Sequence, residues 1–141
     1  MSNFSDYCEV KVIDHILRSS TFSKPSGIYL ALVTTLATDS STGSTLVEPS
    51  GGGYARYSLG APADATWTRG SSTTGVATNA ASITFTASGG NYGTVVGIAL
   101  VDAATNGNVL LYSGTLTGGS KTINDGDSLV FAIGDISVTV A

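Results

Sequence analysis

The sequence predicts an all-β fold, an antiparallel β-sandwich or jelly-roll-like barrel, preceded by one N-terminal α-helix and interrupted by long Gly/Ser/Thr-rich loops. Three observations predict it. The hydrophobic period is helical only up to about residue 20 and alternates from residue 27 onward. Short strand-like segments then recur with turn residues between them, at the spacing of a sandwich or barrel. The third observation is composition. The 141 residues include 18 Gly and only 11% charged residues, against roughly 25% charged in ordinary globular chains. With 42% hydrophobic residues and a net charge of −4, the chain is too apolar and too weakly charged to stay expanded. The length suits a single domain, 1–141, with a helix at about 4–20 and a β body at about 27–141.

The helix rests on Val10, Ile13 and Leu17 at i, i+3 and i+7, a stripe broadened by Val12 and Ile16. Ser5 followed by Asp6 is the N-cap signal, and Ser19, Ser20 and Pro25 end the pattern. Residues 27–34 form the first strand, with Ile28, Leu30 and Leu32 on one face and Tyr29, Ala31 and Val33 on the other. Both faces are therefore expected to be covered. Residues 35–53 read as a loop, and one this long in a compact domain is functional or mobile. A short strand follows at 54–59, then loop-like residues at 60–78 with a brief strand around Trp67. Further strands are expected at 82–86, 94–102, 108–116, 121–123, 128–133 and 136–140. Asn106 and Gly107 give the strongest hairpin signal, because this pair accepts the positive φ angles of a tight turn. No period of 20–50 residues repeats, which excludes solenoids and propellers.

Composition also bounds function. Six Lys and Arg, dispersed along an acidic chain, leave no basic footprint for nucleic acid. The apolar runs are too short for a membrane span, and the first ten residues carry acids where a secretory signal carries bases. The single Cys8 makes no internal disulfide.

Chemistry-bearing groups are sparse. Cys8 and His15 share the helix but stand two turns apart, roughly 10 Å along the axis, beyond hydrogen-bond reach. Cys8 reads as a packed residue and His15 as a helix-edge residue. Asn124, Asp125 and Asp127, with Asp135 further on, offer oxygen ligands of the kind calcium takes, yet lack the spacing of a calcium loop and read as a polar turn. The run Gly51, Gly52, Gly53 has no following Lys and Ser/Thr, so it is no phosphate loop. Tyr54, Tyr57, Trp67 and Tyr92 lie in or beside the loop-rich middle, either as a stacking surface or, preferably, as packing under the loops. Asn3 heads a glycosylation sequon with no export signal before it. The expectation is no catalytic, metal or cofactor site, no cofactor, and no enzyme.

Four stretches carry a resemblance. GGGYAR at 51–56, Tyr92 with Gly93 leading into the central hairpin, DAATNGN at 102–108 and NDGDSLVFAIGD at 124–135 make nearly the whole chain similar to a family of small tailed-phage virion structural proteins. Its members are labelled tail fibre proteins or head decoration proteins. The resemblance implies a structural role and an all-β body. The leading expectation is a capsid decoration (cement) protein, a homotrimer made in the host cytoplasm that binds the major capsid protein on the outer head surface. The alternative is a tail-fibre or baseplate-associated adhesion module that contacts a host surface glycan. Neither nucleic acid nor membrane is an expected partner.

Overall fold

The computed structural model describes residues 3–71 and 74–140. Short β1 (Asn3–Phe4) leads directly into α1 (Asp6–Leu17). Ser5 is the expected cap: its backbone is extended and its Oγ accepts from the Cys8 N–H at 3.2 Å, satisfying one of the free donors of the first turn. The Ser5 hydroxyl also donates to the Val109 carbonyl. The helix stops at Leu17, before residue 20, because Arg18 is already extended.

The largest sheet has five antiparallel strands in the order β1, β9 (Val109–Tyr112), β8 (Gly97–Val101), β2 (Ile28–Val33) and β3 (Tyr57–Gly60). As the alternation required, β2 is covered on both faces. Leu30 and Leu32 join the main core with Ile98 and Leu100, while Ala31 packs with Ala99, Val101 and Val109 on the reverse side. The register of β9 slips at Leu110, so that Val101 faces Val109 but Leu100 faces Leu111. This bulge adds one residue and returns Leu111 to the core face.

Three shorter antiparallel pieces supply the other side of the main core. They are β4 (Trp67–Arg69) with β5 (Val76–Asn79) and β12 (Ser137–Thr139), β6 (Ile83–Thr86) with β11 (Ser128–Phe131), and β7 (Gly93–Val95) with β10 (Lys121–Ile123). Ile83, Phe85, Val95, Ile123, Phe131 and Ile136 from these pieces bury against the large sheet. The result is a sandwich with one continuous layer and one divided layer.

The expected strand 94–102 is two strands. The backbone turns at Val96, whose N–H donates to the Val33 carbonyl at 2.9 Å and whose carbonyl accepts from Leu116, so the chain passes from the divided layer into the large sheet. Two strands went unforeseen, β1 and β5; each depends on a distant partner, β9 and β12 respectively. The last strand keeps Ile136 buried and Val138 half-buried, but Val140 is exposed, so its expected buried face ends one residue pair early.

The helix packs through Cys8, as expected, and turns its apolar stripe outward. Its buried residue is Cys8, whereas Val10, Ile13, Ile16 and Leu17 are 56%, 53%, 69% and 77% exposed. The apolar stripe points away from the body. Ser5 fixes this orientation, because its hydroxyl donates to the Val109 carbonyl and its N–H to the Leu110 carbonyl, clamping the start of the helix onto β9.

Candidate functional site

The segment 35–53 reads from its Ser, Thr and Gly content as a long loop that is functional or mobile, and one side chain pins it. Arg56 is 4% exposed in its side chain and extends into the space between this segment and the β8–β9 turn. Its Nε and Nη2 donate to Glu48 at 3.0 and 2.7 Å. Nη2 also donates to the Gly43 carbonyl at 2.7 Å. Nη1 donates to the carbonyls of Ala103 and Asn106 at 2.9 and 2.8 Å. A planar guanidinium is suited to this, since its fork reaches a carboxylate and several carbonyls at once.

Glu48 is held from a second side. The Tyr54 hydroxyl donates to Glu48 Oε1 at 2.7 Å and accepts from the Leu32 N–H at 2.9 Å. Burial, and next the bonded and nearby Glu48 carboxylate, push the Tyr54 phenol well above its ordinary range, so the hydroxyl stays a donor at neutral pH. Gly43 completes the junction: its N–H donates to the Gly107 carbonyl at 2.9 Å, and a Cβ at this position would overlap the Asn106 carbonyl oxygen.

The Asn106, Gly107 turn has the expected backbone, with φ of 53° and 75°. Its surrounding loop is longer than a two-residue hairpin, however, because β8 ends at Val101 and β9 begins at Val109. Asp102 closes this loop by accepting from the backbone and side-chain N–H groups of Asn108 at 2.7 and 2.8 Å. The carbonyls of Ala103 and Asn106 are thereby free to meet Arg56. Thus GGGYAR and DAATNGN, separate in sequence, are two halves of one junction.

A second buried polar residue does the same for the C-terminal motif. The Asn79 amide donates to the carbonyls of Ala81 and Ala132 at 2.8 and 2.9 Å and accepts from the Ile136 N–H at 2.8 Å. Sequence reasoning assigned no role to Arg56, Glu48, Gly43 or Asn79. The available signal was a lone Glu and a lone Arg eight residues apart in a segment otherwise almost without charge.

The residues weighed from sequence fall out as follows. Cys8 is buried, and burial followed by Glu9 raises its thiol pKa; the exposed His15 Nδ1 accepts from the Phe22 N–H at 3.1 Å. The acids of the 124–135 region bind backbone rather than converge: Asp125 accepts from Gly89, Asp127 from Asn124 and Asp135 from Ala132. Among the described residues, no three His, Cys, Asp or Glu side chains gather where they could hold a metal ion. Three of the four aromatics pack on the core, while Tyr57 on β3 is exposed, with its ring 6.1 Å from that of Phe85. Tyr54 stacks on Phe85 with centroids 6.2 Å apart and meets Tyr92 edge-on at 5.5 Å, while Trp67 packs against the same core. Gly52 lies against the Tyr92 ring, so the glycine run fits a close approach to the core. A groove of ≈ 590 Å³ opens near Leu116, Leu129, Phe131 and Ile136, with Lys121 and Asp135 also lining it. No helix among the described residues is long and apolar enough to cross a membrane.

The fold and its junctions define a β-sandwich scaffold in which buried polar side chains lock long loops onto the body. The chain belongs to a family of bacteriophage virion structural proteins of the fibre kind: residues 3–139 match the family model of the podophage GP4 fiber I protein gp80. No curated protein matches the chain.

Proposed function

We propose that this chain is a structural module of the tail-fibre apparatus, acting through surface contacts and carrying no catalysis of its own. The observation that carries this reading is the match to a fiber I protein over 3–139, nearly the whole chain. The interior supports it, since its buried charged and amide side chains are engaged with loop backbone and with one another. A fibre location replaces the capsid surface as the favoured site on the virion, because the family label names a fibre. Host-glycan contact through the aromatic loops is not part of this proposal, because Tyr92 is buried in the core and Tyr54 and Trp67 are half-buried against it.

The test is copy number by position: heads and tails are purified separately from one phage and the chain is quantified on each. A small number of copies confined to tails is the expected result. Hundreds of copies on heads would overturn it and establish a decoration protein bridging major capsid subunits.

A further inference from the structure

We infer that the junction built on Arg56 silences a modification site: it holds Asn106 and Gly107, the one Asn–Gly pair of the chain, in a backbone conformation from which the asparagine does not deamidate. This concerns the chemistry of the turn and holds for either position on the particle.

An Asn–Gly pair is the most reactive of its kind, because glycine carries no side chain to shield its nitrogen. The Gly107 nitrogen loses its proton and attacks Asn106 Cγ; the Cγ–Nδ2 bond breaks, ammonia leaves and a five-membered succinimide closes. Water then opens the ring at either carbonyl, giving aspartate or, with the main chain rerouted through Cβ and Cγ, isoaspartate.

The turn demands this pair. Asn106 is the one non-glycine residue with positive φ among the described residues, at 53°, and asparagine is one of the few side chains that tolerate it. Gly107 follows with φ of 75°, and a Cβ there would stand 2.5 Å from Asp102 Oδ1 and 2.6 Å from Ala103 Cβ. The same conformation protects the pair. Sterics confine a non-glycine residue at such a φ to ψ of about +30 to +60°, which turns Cβ about 150–180° away from the following nitrogen around the Cα–C bond. Ring closure needs the two nearly eclipsed. Asn106 must therefore leave the left-handed region before its Cγ comes within reach of the Gly107 nitrogen.

Three hydrogen bonds oppose that rotation. It swings the Asn106 carbonyl, which accepts from Arg56 Nη1 at 2.8 Å. The Gly107 carbonyl accepts from the Gly43 N–H at 2.9 Å, and Asp102 accepts from the Asn108 N–H at 2.7 Å. Reaction at the turn thus waits on the junction opening, and the longer backbone of isoaspartate would not bring the two carbonyls back to their donors. A subunit built into a virion is not replaced, so damage at an unprotected turn would accumulate.

Incubation of the full chain in mildly alkaline buffer, followed by peptide mapping that quantifies aspartate and isoaspartate at 106, tests this. The folded wild type is expected to react at least about a hundredfold more slowly than the chain in urea, because the rate follows the population of the open turn. Arg56→Met is expected to react at least about tenfold faster than wild type under native conditions, by the same dependence. Arg56→Lys, which keeps a charge for Glu48 but lacks the planar fork, is expected to fall between the two, and it carries the comparison if Trp67 fluorescence shows that Arg56→Met is unfolded. Asn79→Ala, which loosens the C-terminal motif and leaves the junction intact, is expected to react at the wild-type rate. Weaker protection of the folded wild type, or an Arg56→Lys rate equal to that of wild type, would overturn the inference. Acceleration by Asn79→Ala as large as that of the Arg56 variants would overturn it too, because the protection would then belong to the fold as a whole.

Discussion

Replacing Arg56 with methionine keeps roughly the length of the side chain and removes all the guanidinium donors from the junction. Glu48 is left with only the Tyr54 hydroxyl, and the carbonyls of Gly43, Ala103 and Asn106 lose the guanidinium that they share. Removing one partner of a buried ion pair costs about 3–5 kcal/mol, because the remaining charge stays desolvated. For a chain of this size each kcal/mol shifts the melting temperature by roughly 3–4 °C, so a fall of roughly 10–20 °C is expected. The assay is urea unfolding followed through Trp67, the sole tryptophan, which packs against the main core. Hydrogen exchange of residues 35–53 should rise in parallel, since the loop loses its anchor. Glu48→Met is expected to be damaging for the reciprocal reason. The double variant removes both charges together, so it should be less damaging than the two single losses summed, by at least about 2 kcal/mol. A loss under about 1 kcal/mol for Arg56→Met, or simple additivity in the cycle, would refute the account of Arg56 as the charged centre of the junction.

Gly43→Ala is expected to destabilise by more than about 2 kcal/mol, since its methyl displaces backbone of the 102–108 turn. Gly114→Ala, where a Cβ meets nothing within 4 Å, should fall within about 0.5 kcal/mol of the wild type or above it; thermal melts of the pair check both. The phenols of Tyr54, Tyr7, Tyr92 and Tyr112 all titrate higher in the folded chain, burial being the first cause in each. Their contribution is complete below the unfolded value of about 10 and is lost as pH rises beyond it. Urea midpoints should therefore decline in alkali, and Tyr54→Phe should flatten that decline while lowering stability at neutral pH by about 1–3 kcal/mol through its unpartnered Leu32 N–H and the loss of one donor to Glu48. Cys8 is expected to resist a thiol reagent at neutral pH in the native state and to react fully in urea, because its thiol is buried and its pKa raised; fast native labelling would contradict the packing of α1.

Where structure depends on neighbours in sequence, it was legible. Ser5 as cap, the two covered faces of β2 and the positive φ of Asn106 and Gly107 each follow from a few adjacent residues. What lay beyond reach depends on partners far along the chain. Arg56 gathers carbonyls up to 50 residues away, and a Ser/Thr/Gly-rich loop gives no local sign that such an anchor exists. The break at Val96 was hidden because VVGIALV keeps the same apolar character while its hydrogen-bonding partner changes from β10 to β2. The stripe of α1 was visible as a stripe, but period alone does not say which way a helix faces. That is decided by Ser5 and the β9 carbonyl that it binds.

The turn at Val96 also bears on how the molecule carries load. Residues 93–101 belong to both layers of the sandwich, so along this seam the layers are joined by backbone as well as by packing. A shear force that slides one layer across the other must break the Val96–Val33 and Leu116–Val96 hydrogen bonds together and then stretch a covalent chain. For a protein built into a particle, Val96 is a stitch that ties the two layers through the backbone itself.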